Sequence, residues 1–284
     1  MNVLITGKNG QLGSELQEVS MNSPHTFVFC DSIECDICDA KAIESIVSKH
    51  NIQTIINCAA YTAVDKAEDD EKNAMYVNFI GVQNLNTIAE KFKIKLIHIS
   101  TDYVFSGGQK KPYEPEDAVS PVGVYGKSKR KGEEVILNSN ADAIVLRTSW
   151  LYSSFGNNFV KTMLRLGKKQ ASLNVVDDQF GSPTYARDLA QFCIRLLDVE
   201  TLSSKRRIYH YANAGEISWC TFAQEIMSLA RLNCKIDPIS SDKYPTKAER
   251  PDYSVLSTVA IESDFNASVS EWKNALKECM NRLL

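Results

Sequence analysis

Short apolar runs rich in β-branched residues recur through the first half of the chain. They are Val3-Leu4-Ile5, Phe27-Val28-Phe29-Cys30, Thr54-Ile55-Ile56-Asn57, Leu96-Ile97-His98-Ile99 and Ala143-Ile144-Val145-Leu146. Each is apolar at consecutive positions rather than alternate ones, so both faces of each strand expect burial. The stretches between them carry helical spacing, as in Leu12, Leu16 and Val19, or Val82, Leu85, Ile88 and Ala89. Alternating strands and helices predict an α/β fold, a Rossmann-type doubly wound parallel sheet with right-handed crossovers.

After Leu146 the pattern changes. Residues 149–184 are richer in Ser, Asn, Gly and aromatics. A helix is predicted over 186–198, a strand over 208–211, and further helices over 219–232 and 272–284. Pro238, Pro245 and Pro251 punctuate the stretch between the last two. The expected division is a Rossmann domain over 1–148, with a return segment at about 185–213. A smaller, discontinuous α/β substrate lobe takes 149–184 and 214–284. The charged run Asp65 to Lys72 reads as the solvated face of a helix.

Composition narrows the function classes. The chain has 32 Lys and Arg against 35 Asp and Glu, a net charge of −3. No overall basic field draws it to nucleic acid or an anionic membrane. No apolar run approaches the roughly 18 residues of a spanning helix, and Met1 to Gly7 does not read as a signal peptide. A cytoplasmic protein is expected. Its eight cysteines are then reduced thiols, and Cys35-Asp36-Ile37-Cys38 lacks the second pair a zinc site requires. The four histidines (25, 50, 98 and 210) form no metal-spaced pair, so no metal ligands are assigned.

Gly7-Lys8-Asn9-Gly10-Gln11-Leu12-Gly13 follows the first strand and opens the first helix. Glycines at such a turn let the backbone approach a pyrophosphate, and the helix N-terminus offers N–H groups and a positive dipole end. Gly7, Gly10, Gln11, Leu12 and Gly13 are therefore candidates for binding a dinucleotide, although the spacing is G-x-x-G-x-x-G. Asp31 closes the second strand, where an acid binds the adenosine ribose diol unless it is a solvated turn residue. It favours NADH, while the neighbouring Lys8 leaves NADPH open. Asp36 and Ile37 could border the adenine. Ala59, Ala60 and Tyr61 follow the third strand, where small residues let a ribose pack closely.

Tyr125 and Lys129 stand at i and i+4, one face of a helix. A neighbouring ammonium would lower the phenol's pKa from about 10 and let it trade a proton at a carbinol–carbonyl carbon. The pair could also be an exposed helix contact. Thr101, at the end of the fourth strand, adds a hydroxyl to the same cleft.

These motifs resemble the extended short-chain dehydrogenase/reductases. Several stretches are similar to the dTDP-4-dehydrorhamnose reductase family within them: 57–68, Ser100-Thr101-Asp102-Tyr103-Val104-Phe105, 147–152, 156–163, 178–184 and Arg250-Pro251. The resemblance implies reduction of the C4 ketone of a dTDP-linked 4-keto-6-deoxy sugar by NADH or NADPH. Tyr125 would be the proton donor, Lys129 the residue that holds the nicotinamide ribose and tunes Tyr125, and Thr101 a sugar contact with Asp102 beside it. Trp150 would border the sugar, Asn157, Asn158 and Gln179 would reach the nucleotide, and Arg250 would lie near the diphosphate. Structural alternatives stay open: a core aromatic for Trp150, a turn for Asn157 and Asn158, an ion pair for Arg250 and a helix cap for Asp102. The resemblance also brings in a homodimer and an interfacial Mg2+ without placed ligands. Three other functions remain: an epimerase or dehydratase, a reductase of another 4-keto sugar, and a non-catalytic regulatory subunit of the methionine adenosyltransferase type. Thr101-Asp102-Tyr103 lacks the second acid of a dehydratase.

Overall fold

The computed structural model describes residues 1–202 and 207–284. Positions 203–206 of the predicted return segment lie outside the described residues. The expected strands form as β1 (Asn2–Thr6), β2 (Thr26–Cys30), β3 (Thr54–Asn57), β4 (Lys95–Thr101), β5 (Ala143–Thr148) and β6 (Ile208–His210). They build one parallel sheet of six strands in the order β6-β5-β4-β3-β1-β2. The order reverses beside β1, so the carboxyl ends of β1 and β3 open a crevice there, the usual ligand position in such sheets.

Successive side chains of each strand point to opposite faces. Leu4 packs with Ile55, Leu96 and Val145 under α2 (Ala40–His50), α3 (Val82–Phe92) and α4 (Val124–Leu137). Val3 and Ile5 pack with Ile56, Ile97 and Ile144 on the other face, beneath α1 (Gln11–Val19) and α6 (Ala186–Leu196). Burial on both faces is why these strands read as continuous apolar runs.

A second core gathers Tyr152, Val160, Phe222, Ile226, Trp272 and Met280. It is built on α5 (Phe159–Gly167), α7 (Trp219–Ala230) and α8 (Trp272–Leu283). A parallel strand pair, Ser172–Val176 with Lys235–Ile239, completes it. One segment departs from the expected division. Helix Val259–Phe265 falls within the stretch assigned to the second lobe, yet its Ala260 and Ile261 enter the core of the main sheet. Glu15 of α1 fastens the two parts together. It is closed to solvent and meets Ser153 Oγ at 2.5 Å, Arg187 Nη1 at 3.3 Å and Arg282 Nη1 at 2.9 Å.

The run from Asp65 to Lys72 is not a single solvated helix. It breaks into Val64–Ala67 and the start of Glu71–Met75. Asp65 and Asp69 pair with Arg250 and Lys247, far along the chain.

Candidate active site

A cleft of about 800 Å³ runs over the carboxyl ends of the strands. Its walls bring together residues from most of the sequence motifs. Gly7, Gly10, Gln11, Leu12 and Gly13 line it after β1, and Asp31, Asp36 and Ile37 line it beyond β2. Ala59, Ala60 and Tyr61 follow β3, Thr101 and Asp102 follow β4, and Tyr125 and Lys129 project from α4. Trp150 and Asn157 close the side toward the second core.

The glycine turn has room for nothing larger. Gly7 has φ +70°, and a Cβ there would stand 2.7 Å from the Ala59 nitrogen. At Gly13 it would stand 2.3 Å from the Gly7 carbonyl oxygen. Gly10 caps α1 without a side-chain hydrogen bond. The first-turn N–H groups at the mouth of the cleft are thus left to a ligand, which fits a pyrophosphate. The Gln11 side chain is engaged elsewhere: it donates to the Leu151 carbonyl at 3.2 Å and accepts from Asn158 Nδ2 at 2.9 Å. The backbone N–H of Gln11 remains for a cofactor.

Asp31 accepts from the backbone N–H groups of Ile33 at 2.9 Å and Glu34 at 3.2 Å. The Ile33 bond is the main reason its carboxyl sits below the usual carboxylate range. Asn9 Nδ2 donates to its other oxygen at 3.0 Å. Lys8 stands 3.7 Å from Asp31 and pairs with Glu34. This end of the cleft therefore holds the Asp31 carboxylate, with the Lys8 ammonium 3.7 Å from it.

Buried polar contacts set α4 against the sheet. Glu133 accepts from Ser100 Oγ at 2.6 Å and from Arg147 Nε at 2.9 Å. Gly126 and Gly132 let the helix come close: Cβ atoms there would lie 2.2 Å from the Tyr103 carbonyl oxygen and 2.4 Å from that of Asn78. Asn78 sits in a π-helical turn (Tyr76–Gly81) and bonds both Tyr61 O and Ser128 Oγ at 3.0 Å. Such turns often accompany functional sites because they re-aim side chains.

Thr101 and Tyr125 line the cleft together. Burial among protein atoms pushes the Tyr125 phenol up to about 12; the Thr101 hydroxyl acts to lower it and the Asp102 charge to raise it. The expected lowering by Lys129 is absent from these influences. The Lys129 amine donates instead to the Ile99 carbonyl at 2.6 Å. Thr101 Oγ1 donates to Asp102 Oδ1 at 3.0 Å and accepts from Tyr103 N at 3.2 Å. Thr101, not Asp102, is the cap of the short helical turn. Asp102 is buried, and that burial raises its carboxyl to about 6.

A second cleft of about 810 Å³ holds Gln179 and Arg250. Trp150 lines the first cleft and Trp219 the second. Their rings stack with centroids 3.5 Å apart, forming a shared wall. Arg250 faces the second cleft with its guanidinium on Asp65, at 3.1 and 2.7 Å. Asn158 reaches neither cleft wall. It caps α5 by accepting from Lys161 N at 3.0 Å, and its amide donates to Ser153 O at 2.7 Å. The expectation that it contacts nucleotide gives way to this capping role.

Sequence reasoning missed Tyr103, edge-on to Tyr125 at 5.6 Å, and Trp219 with Lys247 in the second cleft. Tyr103 lay inside a quoted motif, but the distant Trp219 carried no local signal. Among the described residues, no group of three or more His, Cys, Asp and Glu side chains is placed to hold a metal ion. The Mg2+ of the resemblance thus finds no such group among the described residues of one chain. No helix among them is long and apolar enough to cross a membrane.

A Rossmann sheet, a glycine-turn cradle and a Thr-Tyr-Lys set at one cleft define an oxidoreductase of the extended short-chain type. The chain belongs to the family described as the RmlD substrate binding domain, whose sequence model matches residues 1–284. It is 39% identical over 287 residues to a dTDP-4-dehydrorhamnose reductase of Aggregatibacter actinomycetemcomitans, covering 97% of each chain. A crystal structure of a dTDP-4-dehydrorhamnose reductase from Clostridium acetobutylicum superposes with TM-score 0.95. That relative is 38% identical, and the match covers 100% of this chain and 99% of the other. The Bacillus anthracis dTDP-4-dehydrorhamnose reductase in complex with NADP superposes with TM-score 0.94 at 36% identity, covering 99% of each chain.

Proposed function

We propose that this protein reduces the C4 ketone of dTDP-4-dehydrorhamnose to give dTDP-L-rhamnose, using NADPH or NADH. The observation that carries the reading is the single cleft that receives Thr101, Tyr125 and Lys129 together with the glycine turn. The backbone N–H groups of Gln11, Leu12 and Gly13 would hold the cofactor pyrophosphate, since that of Gly10 donates to the Gly7 carbonyl at 3.0 Å. Asp31 would take a ribose hydroxyl, with Lys8 available to a 2′-phosphate. When bound, the reduced nicotinamide supplies a hydride to the sugar C4.

The chain's own residues handle the proton. As the C4 carbonyl oxygen gains negative charge, the Tyr125 hydroxyl donates its proton to that oxygen. Thr101 would contact the sugar beside the phenol, and Lys129 would fix the ribose. Trp150 and the second core hold the sugar against α4 and exclude water. The nucleotide would occupy the second cleft, where Gln179 and Arg250 face it. Diphosphate binding at Arg250 would compete with Asp65, exchanging one anionic partner for another.

The test is a coupled assay in which dTDP-glucose is converted by upstream enzymes and NADPH or NADH oxidation is followed, with NMR of the product. No substrate-dependent oxidation by the isolated protein would overturn the reading and favour a regulatory subunit. The reading also carries a homodimer, checked by light scattering, and a cytoplasmic location, checked by fractionation.

A further inference from the structure

A polar chain crosses the interior of the sheet and ends at Lys129. Thr6, Asn57 and His98 are register partners on β1, β3 and β4, and each is closed to solvent. Thr6 Oγ1 donates to Asn57 Oδ1 at 2.6 Å. The Asn57 amide nitrogen meets His98 Nδ1 at 2.9 Å, and His98 Nε2 stands 3.4 Å from Lys129 Nζ.

Donor accounting fixes the direction of this chain. The Ala59 backbone N–H donates to Asn57 Oδ1 at 3.1 Å. A main-chain N–H can only donate, so that atom is the amide oxygen and the Asn57 NH2 faces His98. An NH2 also only donates, so His98 Nδ1 is the bare nitrogen. Burial holds His98 well below its ordinary pKa and keeps the imidazole neutral. Its single proton is therefore on Nε2, directed at Lys129. An ammonium has three donors and no acceptor, whereas a neutral amine has a lone pair to offer. The contact favours the amine.

We propose that His98 is a positioning residue, locked by Asn57 with its Nε2–H facing Lys129, and that it biases Lys129 toward the neutral amine. Lys129 is then poised to gain a proton when a ligand offers it an acceptor. The other groups facing Lys129 are Tyr125 and Glu133 on its own helix and Cys58 after β3. Glu133 is neutralised by Arg147 and Arg130. The Cys58 thiol is raised well above its usual value by burial and stays uncharged. Burial itself brings Lys129 down to about 8, against the pull of Glu133.

The test is NMR of cofactor-free protein labelled with 15N-histidine and 15N-lysine. His98 is expected to show a protonated Nε2 and a bare Nδ1 between about pH 6 and 9. His98→Leu is expected to raise the Lys129 midpoint by about half a pH unit or more. An Nδ1–H tautomer, or an unmoved midpoint in the folded variant, overturns the proposal. If His98→Leu does not fold, the tautomer in the unaltered protein decides alone. The inference rests on the proposed function only in placing Lys129 at the reaction centre. Both readouts dispense with substrate and cofactor, so their failure and a failed coupled assay are distinguishable.

Discussion

Glu133 and Arg147 face each other in the interior with two parallel hydrogen bonds, Nε to Oε1 at 2.9 Å and Nη2 to Oε2 at 2.8 Å. Glu133 lies one turn beyond Lys129 on α4, and Arg147 lies on β5. The pair ties the helix bearing Tyr125 to the sheet bearing Thr101. Removing one partner leaves the other charge buried without compensation. Glu133→Gln is expected to cost about 3–5 kcal/mol of stability, measured by urea denaturation. A loss under about 1 kcal/mol would mean that water or Arg130 takes over the contact.

Tyr125→Phe keeps the ring and removes the proton. Turnover is expected to fall at least about a hundredfold, with the melting temperature close to that of the unaltered protein. Unchanged kcat in the folded variant would remove Tyr125 as the acid.

The ribose end predicts a split in cofactor use. Asp31→Ala should lower kcat/KM for NADH more than for NADPH, because a carboxylate serves a diol and repels a 2′-phosphate. Lys8→Ala should do the reverse. Equal losses with both cofactors in the Asp31 variant would take that residue off the ribose.

Asp102 gives a pH dependence with a defined sign. Its folded pKa of about 6 lies above the ordinary 3.8, so the folded state holds the proton more tightly. The contribution of Asp102 to stability is greatest below the ordinary value and falls as pH rises toward about 6, by roughly 3 kcal/mol in all. Asp102→Asn should flatten this fall, as read from denaturation midpoints between about pH 4 and 7. A variant with the same slope as the unaltered protein would place the titration elsewhere.

Gly126 tests the close approach of α4. A Cβ there would stand 2.2 Å from the Tyr103 carbonyl oxygen, so Gly126→Ala must push the helix outward. Kinetics are expected to show kcat falling more than KM rises, since the displaced atom is the Tyr125 hydroxyl. Retention of full kcat would show that the Tyr103 turn yields instead.

The sheet was legible along the chain, because burial on both faces of a parallel strand leaves continuous apolar runs such as Val3-Leu4-Ile5. So was the glycine turn, since close backbone approach at Gly7 and Gly13 excludes every larger residue. Tyr125 and Lys129 were legible from helical spacing together with the surrounding motifs. Tertiary structure decided what each polar side chain does with its hydrogen bonds. Asn158 caps α5, Gln11 bridges to Leu151, and Lys129 turns from Tyr125 to the Ile99 carbonyl. It also brought Trp219 onto Trp150 and Arg250 onto Asp65 from distant positions, and drew helix Val259–Phe265 onto the main sheet. The physical reason is range. Periodicity and steric exclusion act between neighbours along the chain, while the partners of a buried polar group are chosen by whatever the fold places within about 3 Å of it.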